Sequence, residues 1–182
     1  MRNVLAKDEV FEGSIAYGTV QNFAHFVGVD DLSYNRFLVN YIDVKQLHIN
    51  VNYDRKINEI IGLNANADYY NWDKEVYHKP NFTCAISAPV NLRNKIKVIP
   101  SVNYEGSRHA SKRPSEQLSW ESFPDIVELP AQIHANLGLY YSYTQNISAY
   151  VQLNNLTNSK QDMWIGYREV GFNGLFGLNY SF

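Results

Sequence analysis

The segment Ile57–Tyr69, which reads INEIIGLNANADY, alternates between apolar and polar or small side chains along most of its length. A period of two is typical of a β-strand whose two faces meet different surroundings. The apolar positions are Ile57, Ile61, Leu63, Ala65, Ala67 and Tyr69, and the others include Asn58, Gly62, Asn64, Asn66 and Asp68. We therefore predict a strand with one apolar face and one polar face.

The same alternation recurs along most of the chain. It is found in Leu47–Tyr53, Phe82–Val90, Ile96–Tyr104, Ile133–Tyr143, Ile147–Leu153 and Phe176–Phe182, and more weakly in Gly13–Phe26. Together with the first segment, these segments bring the expected number of strands to about eight. Apolar residues at helical spacing are not convincing anywhere in the sequence. The chain is therefore predicted to be all-β.

Short and long connections alternate between these strands. The short ones are rich in Asn and Asp, as tight hairpins require, and lie at Asp54–Lys56, Asn91–Asn94 and Thr144–Asn146. The long ones lie at Val27–Asp43, Trp72–Lys79, Gly106–Pro130 and Asn158–Gly171. Outer-membrane barrels have short periplasmic turns and long extracellular loops. We therefore predict the antiparallel strands of an up-and-down transmembrane β-barrel.

The composition of the two faces favours a membrane barrel over a soluble one. The polar face consists mostly of Asn, Gln, Ser, Gly and His, whereas Lys and Glu are common on the outside of soluble barrels. Aromatic residues near the strand ends match the two interfaces of a bilayer. The predicted girdle residues are Tyr69, Phe82, Tyr104 and Trp164 near the long loops, and Tyr141 and Tyr143 near the short turns. Alternatively, these aromatics fill the core of a soluble β-domain.

A sheet in lipid has to close into a barrel, because an open edge leaves backbone groups without hydrogen bonds. An interior of Asn, Ser, Gly and Gln would fill a small eight-stranded barrel only loosely. We therefore expect a slice of a wider barrel, whose lumen is lined by His48, Asn50, Asn64, Asn66, His134 and Asn136.

Composition excludes several other classes of protein. The chain has 182 residues, a net charge of −2 and one cysteine, Cys84. Nucleic acid is therefore not expected as a partner, and neither a disulfide framework nor a Cys-based zinc site can form. The histidines show no metal-ligand spacing, and no cofactor is predicted. The first residues, MRNVLAKD, lack an export signal, which suggests a cytoplasmic protein, a mature form or a fragment.

Several motifs in the last third of the chain point to one family. They are Leu129-Pro130-Ala131-Gln132, Asn154-Asn155-Leu156-Thr157-Asn158, Trp164-Ile165-Gly166-Tyr167, Gly171-Phe172 and Gly177-Leu178-Asn179-Tyr180-Ser181-Phe182. The chain resembles the C-terminal part of a TonB-dependent outer-membrane receptor barrel, especially the Bacteroidetes type. The resemblance implies a place in the bacterial outer membrane and a full barrel of about 22 strands. It also implies uptake of siderophores, vitamins or glycans, and no catalytic activity.

The resemblance implies partners as well. In this family, aromatic residues at the C-terminus and two positions before it resemble the signal read by the barrel-assembly machinery, and Tyr180 and Phe182 fit these places. Outer-membrane lipid is a further expected partner. A plug domain and TonB would be reached through an N-terminal part that this sequence lacks.

Residues 1–182 are thus predicted to be a single outer-membrane barrel region, a fragment without a plug domain. One alternative is a freestanding eight-stranded barrel with a structural or adhesin-like role. A variant of it is a lipid A deacylase, since His109 lies two residues before Ser111. A third hypothesis is a soluble β-barrel that binds a small hydrophobic ligand.

Overall fold

The computed structural model describes residues 2–6, 8–30, 35–114 and 125–182. Within these ranges no helix is long and apolar enough to cross a membrane. The strands found there are β1 (Arg2–Ala6), β2 (Glu9–Asp30), β3 (Asn35–Lys56), β4 (Gly62–Trp72), β5 (Phe82–Ser87), β6 (Val90–Leu92), β7 (Ile96–Glu105), β8 (Arg108–Pro114), β9 (Asp125–Leu129), β10 (Gln132–Ser142), β11 (Ile147–Asn154), β12 (Asp162–Trp164), β13 (Tyr167–Arg168) and β14 (Asn173–Tyr180).

One large sheet contains most of these strands. Its order is β14-β11-β10-β7-β5-β4-β3-β2-β8-β9, while β1 pairs with β2, β6 pairs with β7, and β12 and β13 form a separate hairpin. Neighbours are antiparallel except for β2 and β8, which are parallel. In the described part of the chain the sheet does not close on itself. The predicted all-β fold of antiparallel barrel strands is confirmed, as an open slice.

The register separates apolar and polar side chains into rows that run across the sheet. Residues directly opposite one another on neighbouring strands share a face. One such row contains Tyr53, Ala65, Ile86, Val102 and Ala135, and the row beside it contains Asp54, Asn64, Ser87, Ser101 and Asn136. Ile86 and Val102 are 49% and 47% exposed, so no protein layer from the described ranges covers the apolar row. We call the apolar side the outer face and the polar side the inner face.

Several predicted connections differ from those in the structure. The turn expected at Asp54–Lys56 lies instead at residues 57–61, between β3 and β4. Asn58 Oδ1 accepts the backbone N–H groups of Ile60 and Ile61, both at 2.8 Å, and such a local turn competes with a strand. The connection expected at Val27–Asp43 is mostly strand, because β2 and β3 pair as far as Asp30 and Asn35. Residues 31–34 and 115–124, within two predicted loops, lie outside the described residues.

A compact cap forms beyond the long-loop ends of β4 and β5. It consists of the distal ends of β2 and β3, residues 73–81, β8, β9 and the β12–β13 hairpin. After β7, the chain continues into β8, which pairs in parallel with β2 and places Lys112 beside Gly28. The buried apolar residues of the described chain are Val44, Val76, Ala110 and Leu129. The protein's own core therefore lies in and beside the cap, at one end of the sheet.

Candidate functional site

The inner face of β3 and β4 carries a hydrogen-bonded row of polar side chains. Asp68 Oδ1 lies 2.8 Å from His48 Nε2 and accepts a hydrogen bond from Asn50 Nδ2 at 2.9 Å. Asn66 Nδ2 donates to Asn52 Oδ1 at 2.7 Å. The structure thus brings His48, Asn50 and Asn66 together on the inner face, and Asn64 lies on the same face opposite Asp54. These polar groups largely satisfy one another's hydrogen bonds, so the row needs no bound solute to supply partners.

A cleft of about 610 Å³ opens on the inner face of β7, β10 and β11. His134 and Asn136 both line it, and His134 Nε2 lies 2.8 Å from Glu169 Oε2. Glu169 belongs to the connection before β14, and no pattern in the sequence singled it out. Other lining residues are Asn103, Tyr140, Gln152, Asn154 and Asn173. Amides and a tyrosine can hydrogen-bond to a polar solute, which makes this cleft the candidate binding site.

The connection between β11 and β14 folds inward beside this cleft because of Asn155. Its side chain is 4% exposed. Asn155 Nδ2 donates to the carbonyl groups of Ser159 and Val170 at 2.8 and 3.1 Å, and Oδ1 accepts from Ser159 N and Thr157 Oγ1 at 3.0 and 2.9 Å. All four hydrogen-bonding positions of the amide are therefore used. The Asn-Asn-Leu-Thr-Asn motif thus has a physical role, since its second residue fixes the path of this connection.

Two side chains fasten the β12–β13 hairpin to the barrel wall. Arg108 Nη2 donates to the carbonyl oxygens of Asp162 and Met163, both at 3.1 Å. Gln132 Nε2 donates to the same Asp162 carbonyl at 3.2 Å. Both side chains are buried, with residue exposures of 3% for Arg108 and 1% for Gln132. The hairpin is therefore packed against the wall rather than free in solvent.

Two tyrosine rings lie flat on the inner wall near the short-turn ends. The ring centroids of Tyr140 and Tyr150 are 6.3 Å apart, and Gln152 Nε2 donates to the Tyr140 hydroxyl at 2.9 Å. Gly177 lies opposite Tyr150 on β14, where a Cβ atom would come within 2.6 Å of the ring. The absence of a side chain at Gly177 therefore lets the ring lie against the strand.

We expect Gly177→Ala to lower the free energy of unfolding by about 1–3 kcal/mol, because the added methyl group displaces the Tyr150 ring. Gly18→Ala is the matched control, since a Cβ atom there meets nothing within 4 Å. Urea unfolding of the complete barrel that contains these residues, in lipid vesicles, measures both changes. Equal effects of the two substitutions would contradict the steric explanation, whereas Tyr150→Ala should remove most of the cost of Gly177→Ala.

The predicted girdle residues occupy both ends of the outer face, with one exception. Tyr69, Phe82 and Tyr104 lie on three neighbouring strands, and the last two rings are 6.0 Å apart. Tyr141 and Tyr143 lie at the short-turn end with centroids 6.4 Å apart. The prediction is wrong for Trp164, which stacks on His78 in the cap with a centroid distance of 4.4 Å and also contacts Phe26 and Phe37. At the C-terminus, Tyr180 and Phe182 are exposed and 6.3 Å apart.

The deacylase alternative has no support in the geometry. His109 Nδ1 forms a close contact with Glu75 Oε1, so it does have a carboxylate partner. Ser111, however, is 0% exposed, and its hydroxyl lies within the cap beside Tyr77. A nucleophile has to be reached by its substrate, and this hydroxyl is enclosed.

Burial in the cap also determines the charge of His78. Its ring packs between aromatic neighbours and is 6% exposed. Burial, followed by the positive charge of Arg108, lowers the pKa of His78 to about 4. His78 is therefore neutral at pH 7 and serves as a packing residue of the cap.

Comparisons with known proteins give the fold. No protein-family profile matches the chain, and no curated protein matches its sequence. Solved structures do match. They include the pyoverdine outer-membrane receptor FpvA of Pseudomonas aeruginosa, with a TM-score of 0.65 and 16% identity over 96% of this chain. They also include the copper transporter OprC, with a TM-score of 0.70 and 11% identity over 97% of this chain. The ferric-catecholate import receptor Fiu of E. coli K12 has a TM-score of 0.66 and 14% identity over 98%.

This chain spans only 26–29% of the length of these proteins. At such identities the likeness shows the fold alone, an open antiparallel sheet similar to part of the barrels of these proteins. The three structures named here are those of two receptors and one transporter. The Bacteroidetes assignment has no support among them.

Proposed function

We propose that this chain forms part of the wall of a TonB-dependent-receptor-like barrel in the bacterial outer membrane. The proposal rests on the two adjacent rows of side chains that cross the sheet. The row that includes Val102 is apolar and exposed, and the row that includes Ser101 is polar. In water, an uncovered apolar face of this width would be unfavourable, whereas in lipid it is favourable.

The open sheet supports a role as part of a larger barrel. Unpaired backbone groups at an edge are costly in hydrocarbon, so further strands would have to complete the wall next to β14. We place residues 1–182 in a single barrel region, with a plug domain and a TonB-contacting segment belonging to the remainder of the protein. Outer-membrane lipid and the barrel-assembly machinery are its other proposed partners, the latter reading Tyr180 and Phe182.

The proposed activity of the whole barrel is uptake of a small polar solute, without catalysis. Siderophores, vitamins and glycans are the candidate classes, and the cleft lined by His134 and Asn136 offers amide and hydroxyl groups to any of them. A freestanding small barrel is the second candidate. It would be favoured if the chain alone gave a compact, heat-modifiable species in detergent.

Nitroxide labels on adjacent residues test the orientation of the sheet. In a Cys84→Ser background, Val102→Cys and Asn103→Cys place one label on each face of β7. With the complete proposed barrel that contains residues 1–182 reconstituted in lipid vesicles, we expect the label at position 102 to collide mainly with dissolved oxygen and the label at 103 mainly with a water-soluble nickel reagent. Access of the nickel reagent to both labels, or folding in buffer alone, would overturn the proposal.

A further inference from the structure

A second pocket, of about 310 Å³, lies between the loop at residues 73–81 and the start of β8. Its charged lining residues are Lys74, Glu75, Lys79, Arg108 and His109, and its neutral polar ones are Asn71, Trp72, Asn81 and Ser107. The lining thus contains three cations and one carboxylate, and a second carboxylate, that of Glu105, lies 3.4 Å from Arg108. The pocket is separate from the cleft on the inner face, and the proposed uptake makes no use of it.

The position of this pocket relates it to the membrane surface. Asn71 follows Tyr69 by two residues on β4, Asn81 directly precedes Phe82, and Ser107 follows Tyr104 by three residues. The three aromatic residues lie side by side on the outer face. Aromatic belts mark the level of the lipid headgroups. The pocket therefore lies at or just beyond the headgroup level, on the long-loop side.

The charges in this pocket are only partly neutralised. Glu75 is engaged by His109. The Arg108 side chain is 1% exposed and has Glu105 at 3.4 Å, yet its Nη1 makes no hydrogen bond within the described part of the chain.

Lys74 Nζ donates one hydrogen bond, to the Asp43 carbonyl at 2.6 Å, which leaves two N–H groups. Lys79 is exposed. The pocket therefore has excess positive charge and available donors.

We infer that this pocket binds a phosphate group on the headgroup of a membrane glycolipid in the outer leaflet. Lysine ammonium groups bind phosphate as point charges, and buried arginine adds to the local positive potential. Basic side chains close to a membrane surface attract anionic headgroups in this way. The inference rests on the proposed membrane orientation, which puts the long-loop side at the outer leaflet.

The test measures how much phosphorylated lipid A co-purifies with the complete proposed barrel that contains residues 1–182 in micelles of a neutral detergent. We expect Lys74→Gln combined with Lys79→Gln to weaken retention about tenfold. Lys95→Gln combined with Lys97→Gln removes the same charge near the short-turn end, where both lysines are exposed, and should leave retention unchanged. Dephosphorylated lipid A should be retained poorly by every variant.

Three results would overturn the inference. They are unchanged retention in the Lys74/Lys79 variant, equal loss in the control variant, and equal retention of dephosphorylated lipid A. Full competition by millimolar inorganic phosphate would instead indicate a site for a soluble anion. The nitroxide labels keep the two proposals separate. A lipid-exposed label at position 102 together with no lipid A retention refutes this inference alone, whereas a water-exposed label at 102 refutes the membrane orientation itself.

Discussion

Replacing Val102 by lysine should destabilise the barrel in a lipid bilayer by about 1–3 kcal/mol, because Val102 is one outward position inside the girdle residue Tyr104 and the cost of a cation on the lipid face falls from the midplane toward the interfaces. Val102 lies within β7, opposite Ile86 and Ala135, and is 47% exposed. Urea titration of the complete proposed barrel in vesicles, followed by circular dichroism, measures the change in the free energy of unfolding.

Ser101→Lys is the matched control, because the neighbouring side chain lies on the inner face. A lysine there remains in a polar environment and should cost less than about 1 kcal/mol. On a water-soluble domain, lysine at an exposed valine would also cost little. Equal small effects at positions 101 and 102 would therefore argue against a lipid-facing surface.

Asn155→Ala should be similarly damaging, with a loss of about 2–4 kcal/mol from the local stability of the connection between β11 and β14. The substitution removes four side-chain hydrogen bonds and leaves the carbonyl groups of Ser159 and Val170 without this donor. Hydrogen exchange of residues 156–171 measures the effect directly, because local opening exposes these amides.

Backbone strain contributes to that cost and can be separated from it. Asn155 has a φ of 52°, a conformation that glycine adopts more readily than alanine. Asn155→Gly should therefore avoid the backbone strain that Asn155→Ala introduces, but it should not restore the lost hydrogen bonds. Asn179→Ala serves as the control, since Asn179 is exposed. Full protection of the connection in Asn155→Gly would contradict the role given to the amide.

The strands of the main sheet could be predicted because their two faces meet different surroundings. Most positions in Ile133–Tyr141 lie opposite a residue of similar polarity on β7, with Gly138 opposite Ile99 as an exception. The alternation of the sequence therefore follows the pleat of the sheet. The alternation is weaker within β2, and this has a structural cause. Val20 pairs with Val44 but Phe23 pairs with Ile42, so β2 has one extra residue between these pairs, where Asn22 has a φ of 53°. This β-bulge moves the side chains after it to the opposite face of the sheet.

The cap could not be predicted from local pattern. Trp164 contacts Phe26 and Phe37, residues more than a hundred positions earlier, and such contacts leave no period in the sequence. The same is true of the inner cleft, where His134 was expected but its partner Glu169 was not. A short irregular connection carries no alternation, so its inward path depends on individual hydrogen bonds such as those of Asn155.

The parallel pairing of β2 with β8 has a consequence for the order of folding. Gly28 and Lys112 are 84 positions apart in the chain, whereas the hairpin between β10 and β11 joins residues only a few positions apart at its turn. Closing a long stretch of chain costs entropy before any contact repays it. The hairpins should therefore form early and the cap last. In pulse-labelling experiments we expect a kinetic intermediate in which the amides of the hairpins are protected from hydrogen exchange and those of the cap are not.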